Sequence, residues 1–245
     1  FVALLAVSSV ALSGCIKETF PEQGVATKEQ LSSSASALES AVNGIPSQMT
    51  QGYLVYKGEQ VHETDMAFPQ IMMAFTELLG DIYPLGSNSG YDWYRTYNTG
   101  TSFGEKTYFA YLPWFTCYQF IKAANGVLSV IDYKDEKISA DMKAFAGMAL
   151  AARAFDYYLL IAMYEPAENI YTDCSKVLGL TVPWVDENTT DEQSKNNPRV
   201  PHDQMMQKLY TDLDTAAELL KDTKSGSSLF PTLATVYGIR AKICM

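Results

Sequence analysis

The densest group of chemically capable side chains is Tyr91-Asp92-Trp93-Tyr94-Arg95-Thr96-Tyr97-Asn98. Tyr91, Trp93, Tyr94 and Tyr97 offer flat aromatic faces, and Asp92, Arg95 and Asn98 supply hydrogen-bond donors and acceptors between them. A sugar ring uses both: its C–H faces pack on aromatic rings, and its hydroxyls bond to amides, carboxylates and guanidinium groups. The stretch therefore predicts a surface for a polyhydroxylated ligand, with Trp93 and Asn98 as the leading direct contacts. Asp65 and Asp81 are further candidates for hydroxyl contacts. The competing reading is that Trp93 and some of the tyrosines only pack this segment onto its neighbours.

No residue set points to catalysis. His62 and His202 are isolated in sequence, and His62-Glu63-Thr64-Asp65 departs from the HExxH pattern of a zinc helix. GxSxG, P-loop and dinucleotide-binding patterns are missing from the sequence. Asp186-Glu187 and Asp191-Glu192 read as an acidic surface loop, whereas a glycosidase needs two carboxylates roughly 5–10 Å apart across a cleft. The chain reads as a binder and not an enzyme, with no metal and no cofactor.

A different chemistry marks the start of the chain. Residues 1–12 are apolar or small and uncharged. They are too few for a membrane-spanning helix, which needs about 20 apolar residues, but they fit the apolar region of a secretory signal, about 7–15 residues long. Leu12-Ser13-Gly14-Cys15 then has the form of the lipobox cleaved by lipoprotein signal peptidase, with the Cys15 thiol as the acyl acceptor. Residues 1–14 are read as a signal peptide lacking its initiator Met and charged n-region. Residues 15–26 are read as a lipidated tether, since Pro21 and Gly24 interrupt it and it shows no periodicity.

The net charge of −10 disfavours nucleic acid, which requires clustered Lys and Arg. It also disfavours an electrostatic grip on anionic lipid, so acyl chains at Cys15 would be the membrane link. Beyond Cys15, the cysteines Cys117, Cys174 and Cys244 form no paired framework and read as small buried hydrophobes.

The elements that must position these groups are helical. Thr27 and Gln30 have capping-box spacing ahead of Leu31, Ala35, Leu38 and Val42, and Gly44 with Pro46 predicts the end of that helix. A short helix is predicted over 68–79, then an aromatic-rich loop over 81–104. Helical periodicity returns over 106–131 and 139–164. The second of these is rich in Ala and Gly, which lets neighbours approach from several sides. Arg153 and Asp156 lie three apart on it and are predicted to pair. After a break over 165–201, with an extended run at 180–185, helices are predicted over 204–220 and from about Pro231, whose ring suits a first turn. The predicted fold is all-α: tetratricopeptide-like antiparallel helix pairs with long irregular loops.

Several segments in this order resemble the SusD/RagB family of outer-membrane nutrient-binding lipoproteins of Bacteroidetes. Ala123-Ala124-Asn125-Gly126-Val127-Leu128 resembles its "I…AN…L" helix. Residues 149–160, around Arg153-Ala154-Phe155-Asp156-Tyr157-Tyr158, resemble its "RALRAFYYFDLV" helix. Val182-Pro183, Pro198-Arg199 and Asp212-Leu213-Asp214 stand where members carry "VP", "PR" and "DLD", and residues 234–242 parallel "AA.ALLARVYL". Glu165 departs from the usual Gly.

The resemblance implies that residues 27–245 are the N-terminal part of a longer helical domain. It also implies an oligosaccharide ligand, a SusC-like TonB-dependent outer-membrane transporter as partner, and a lipid-anchored position on the outer membrane facing outward. Alternatives within the same reading are an oligopeptide ligand, or a helical-repeat scaffold that binds no ligand.

Overall fold

The computed structural model describes residue 31 and residues 34–48, 55–56, 59–60, 108–224 and 230–245. In chain order these form α1 (Ala35–Gln48), β1 (Val55–Tyr56), β2 (Glu59–Gln60), α2 (Tyr108–Leu128), α3 (Ala140–Tyr164), β3 (Leu180–Pro183), α4 (Asp191–Lys195), β4 (Arg199–Pro201), α5 (His202–Leu220) and α6 (Leu233–Ile243). The strands make two small antiparallel ribbons, β1 with β2 and β3 with β4. Apart from these ribbons, the regular elements among the described residues are helices, as the sequence predicts. The predicted helix over 68–79, the loop over 81–104, the Thr27 capping box, the signal and the tether all lie outside the described residues.

Helix α3 is the axis of the assembly and packs against α1, α2, α5 and α6. Ser139 starts it by accepting a hydrogen bond from the Met142 N–H, satisfying one of the donors that a helix N-terminus leaves free. Its small residues do what their size allows. At Gly147 an added Cβ would stand 2.7 Å from Leu220 Cγ, so α5 crosses here closer than any side chain permits. Ala149, Ala151 and Ala154 are fully enclosed as well. By length and composition α3 could cross a membrane, but most of its surface is buried inside the protein.

Two apolar clusters line this axis. One joins Leu38, Val42 and Ile45 of α1, Val127 and Leu128 of α2, Leu213 and Leu220 of α5, and Val236 and Ile239 of α6 to the first half of α3. The other gathers Cys117 and Ile121, Tyr157 and Leu160, Val182, Met205 and Leu209 around its second half.

The described helices depart from the predicted bounds for local reasons. Helix α1 runs through Gly44 and Pro46 to Gln48, and the buried stripe Leu38, Val42 and Ile45 carries it past Gly44. Helix α2 ends at Leu128, after which Val130 and Ile131 donate to carbonyls three residues back in a tightened turn. Helix α6 starts after Thr232, whose side chain caps the Thr235 N–H, so Pro231 precedes the cap instead of opening the helix. Helix α5 starts directly from Pro201, two residues earlier than predicted. Of the three described cysteines, Cys117 alone is buried. Cys174 sits half-covered in the loop after α3 and Cys244 is exposed at the end of α6, which corrects the reading of all three as buried hydrophobes.

Helix α2 contains Pro113, which lacks the N–H of a regular turn and crowds the preceding one. The turn that follows it is braced from α3: the Tyr164 hydroxyl accepts from the Trp114 N–H at 3.0 Å and donates to the Ala110 carbonyl at 2.8 Å. Tyr164→Phe removes this bridge while keeping the ring. It is expected to destabilise the protein by about 1–3 kcal/mol in urea unfolding, as the Trp114 N–H loses its partner; an unchanged midpoint would refute the bridging role.

Candidate functional site

The polar chemistry of the described region starts from Arg153, halfway along α3 with its side chain 3 % exposed. A charge so enclosed must be paired on every donor. Arg153 Nε and Nη2 donate to the two carboxylate oxygens of Asp212 on α5, each at 2.8 Å, in a bidentate fork. Its Nη1 donates to Asn125 Oδ1 on α2 at 2.8 Å and to Glu187 at 2.6 Å in the segment after β3. Tyr133 donates its hydroxyl to the other oxygen of Glu187 at 2.7 Å.

Arg153 therefore does not pair with Asp156, as the spacing of three suggests. The short-range rule holds on a solvated helix face, whereas here the fold brings three better acceptors from other segments. Glu187 is likewise no member of a solvated acidic loop. Burial works against its charge, yet Arg153 and the Tyr133 hydroxyl hold its carboxyl below the usual range. Burial also opposes the charge on Arg153, but Asp212 and Glu187 outweigh it and hold the guanidinium above its ordinary value. At Asp212 burial prevails and pushes the carboxyl up against the pull of Arg153.

The same charge organises an aromatic stack. Trp184, directly after β3, lies on Tyr157 with ring centroids 4.4 Å apart. Arg153 Cζ is 5.3 Å and Lys208 Nζ 5.0 Å from the indole centroid, within cation–π range. The Tyr157 hydroxyl accepts from the Val185 N–H at 2.6 Å and donates to the Val185 carbonyl at 3.0 Å, and Asn125 Nδ2 donates to that carbonyl too. Tyr118 donates to the Pro183 carbonyl. Arg199 of β4 bonds the carbonyls of Tyr164 and Thr181, tying the end of α3 to β3. These bonds fix the segment 184–197, which encloses an open concavity of about 470 Å³ lined by Trp184, Asp186 and a set of amide and hydroxyl side chains.

Asp156 faces the opposite situation. It is fully buried, and no described residue bonds either carboxylate oxygen. Burial pushes its carboxyl well above the usual range, and it pushes up the Cys117 thiol beside it, with Asp156 adding to that rise. A neutral carboxylic acid between α2 and α3 is the form such surroundings favour. Of the two histidines, His202 is exposed with its Nδ1 2.9 Å from both oxygens of Glu165, bridging the ends of α3 and α5, and His62 lies outside the described residues. Among the described residues no cluster of His, Cys, Asp or Glu could hold a metal ion.

The candidate contacts Trp93, Asn98, Tyr91, Tyr94, Tyr97, Arg95, Asp65 and Asp81, and the candidate acylation site Cys15, lie outside the described residues. The polar network around Arg153 was missed by sequence reasoning, although two signals carried it. One is a lone arginine in an Ala-rich apolar run; the other is Asp212, set among Leu209, Leu213 and Ala216 on the apolar face of its helix.

With this architecture in place, residues 33–245 match the SusD-like family described as "Starch-binding associating with outer membrane". The chain belongs to that SusD-like family. Solved structures give the same fold. A SusD-like carbohydrate binding protein from Bacteroides vulgatus superposes with a TM-score of 0.66 at 22% identity, over 85% of this chain and 40% of its own. A second SusD-like carbohydrate binding protein, from Bacteroides fragilis, gives 0.59 at 18% identity over 88% and 38%. Surface glycan-binding protein A from Bacteroides thetaiotaomicron, in complex with laminarihexaose, gives 0.56 at 18% identity over 85% and 38%. This SusD-like chain thus spans about two fifths of the length of the structures it matches. No curated protein matches its sequence.

Glu187 and Asp156 predict opposite pH dependences. Glu187 has a depressed value in the fold, so its contribution is present above the unfolded value of about 4.3 and is lost as pH falls through the folded value. Glu187→Gln should therefore be less stable than the parent at pH 7, with the difference shrinking below pH 4. Asp156 has a raised value, so its contribution is favourable only below about pH 3.9 and is lost as pH rises. Asp156→Asn should be more stable than the parent at pH 7, with the gain fading as pH falls towards 4. Urea unfolding of both variants across that range checks the signs; parallel pH profiles would contradict them.

Proposed function

We propose that this protein is a lipid-anchored, outer-membrane binding protein that captures oligosaccharide and delivers it to a TonB-dependent transporter. The observation that carries the reading is the match of residues 33–245 to a starch-binding family associated with the outer membrane. The ligand-bound relative supports a glycan, since laminarihexaose sits on a protein of the same fold. In this chain Tyr91–Asn98 supplies the side chains a glycan requires: aromatic faces for the C–H sides of the rings, and Asn98, Arg95 and Asp92 for the hydroxyls. Asp65 and Asp81 add carboxylate acceptors. Cys15 is the acyl acceptor, and the transporter partner completes the role of a capture protein held at the outer face of the membrane.

Two experiments test the parts of this reading. In affinity electrophoresis against starch, laminarin and other neutral polysaccharides, the protein should be retarded by at least one of them. Trp93→Ala should weaken that interaction at least about tenfold, which is ~1.4 kcal/mol. A folded parent that runs freely through every gel, or a Trp93→Ala protein that binds undiminished, would remove the glycan assignment from this segment. Cys15→Ser should shift the exported protein from the membrane fraction to the soluble one; continued membrane retention would contradict acylation at that residue.

A further inference from the structure

The concavity within residues 184–197 is built by its own hydrogen bonds. Asn197 Nδ2 donates to the Trp184 carbonyl at 2.7 Å and closes the two ends of the segment on each other. Between them, the Asp186 carboxylate accepts from Trp184 Nε1, from the Asn188 N–H and from Thr189 Oγ1. Thr190 and Gln193 form a capping box that fixes the short helix α4 on the far side. Underneath, Tyr157 and the Arg153–Glu187 pair anchor the base to α3. The cup is thus preorganised without a ligand, which lowers the ordering cost of binding one.

Its lining is chemically selective. Among the described residues that line it there is no Lys or Arg to grip phosphate or carboxylate, and no aliphatic side chain for a lipid or an apolar peptide anchor. It holds one carboxylate, already engaged by three donors, which is a poor start for a metal site. The remaining groups are amides and hydroxyls. Those of Asn188 and Asn196 are exposed, and no described residue takes up their side-chain amides. Each amide offers two donors and a carbonyl acceptor, the pairing that vicinal hydroxyls satisfy. Trp184 contributes its edge, since Tyr157 stacks on the ring. The volume of about 470 Å³ lies within the ~300–1,000 Å³ of small-molecule sites.

We propose that this cup is a second carbohydrate site, separate in sequence from Tyr91–Asn98, which takes a neutral mono- or disaccharide unit through Asn188, Asn196 and Asp186. The inference rests on the glycan reading above for its ligand class and on the cup's own lining for its chemistry. Binding there is by hydrogen bonding rather than by stacking on an aromatic platform, and a longer chain held at the first segment would gain a second hold through raised local concentration.

The test is a titration of the 15N-labelled full chain with laminarihexaose and with maltohexaose. It follows the Trp184 indole N–H and the side-chain amides of Asn188 and Asn196, in the parent, in Trp93→Ala and in the double variant Asn188→Ala/Asn196→Ala. With at least one of the two sugars, these three signals should shift in the parent and still shift in Trp93→Ala. In the double variant, which keeps only the Trp184 indole N–H of the three reporters, the sugar response of that indole should weaken at least about tenfold, as expected for the loss of two neutral hydrogen bonds. Its thermal midpoint should stay at the parental value, because both asparagines are exposed; Asn188→Trp, which fills the cup, provides an independent block.

Absence of any shift at these three groups with either sugar overturns the proposal. So does a response that vanishes in Trp93→Ala, which would assign the shifts to the other segment, and so does a response to calcium with none to sugar. Undiminished binding by Trp93→Ala with the cup signals intact would instead sink the first segment's role and leave the cup standing.

Discussion

The described structure depends on a charge that cannot be left alone. Moving an ion of this size from water into a protein interior costs several kcal/mol even after relaxation, and removing one partner from such a group typically costs about 3–5 kcal/mol. Arg153 is enclosed, so every arrangement of the chain that folds must deliver acceptors to it. They come from three segments: Asn125 lies 28 residues away, Glu187 34 and Asp212 59. Satisfying one guanidinium therefore sets α2, α5 and the segment after β3 against α3 in one arrangement. The Ala and Gly residues of α3 are the steric counterpart, because the forked bonds to Asp212 close only if α5 can lie against Gly147.

Asp156, three residues along the same helix, shows the other solution open to a buried acid. With no described residue bonding its oxygens, the neutral form is favoured and the group behaves as a compact polar residue between α2 and α3. The two residues look like a complementary pair in sequence and have opposite fates in the fold. Charge is retained where bidentate geometry compensates desolvation and is given up where it does not.

Most of the helical architecture was legible because amphipathic periodicity survives folding: Leu38, Val42 and Ile45, or Leu209, Leu213, Ala216 and Leu220, lie on the faces their spacing gives. What was not legible depended on partners distant in sequence. The fork from Arg153 to Asp212 obeys no local spacing, and the ribbon of β3 and β4 is too short to show alternation. The passage of α1 through Gly44 is decided by burial on its other face. The cup at 184–197 reads as a polar loop because its order comes from Trp184, Asp186 and Asn197 closing on one another, which no periodicity reports. The proposed binding run Tyr91–Asn98 rests on residue type alone, because it lies outside the described residues.

The helical scaffold locked by one buried charge belongs to a family described by starch binding and outer-membrane association, and capture of a neutral glycan is the function proposed for it. The direct test is calorimetry of the full chain with laminarihexaose, maltohexaose and oligopeptides at low and high salt. The account predicts heat with at least one oligosaccharide and an affinity that salt leaves unchanged, because hydrogen bonds and ring packing to a neutral ligand are not screened. Heat only with peptides, or an affinity that collapses at high salt, would contradict it.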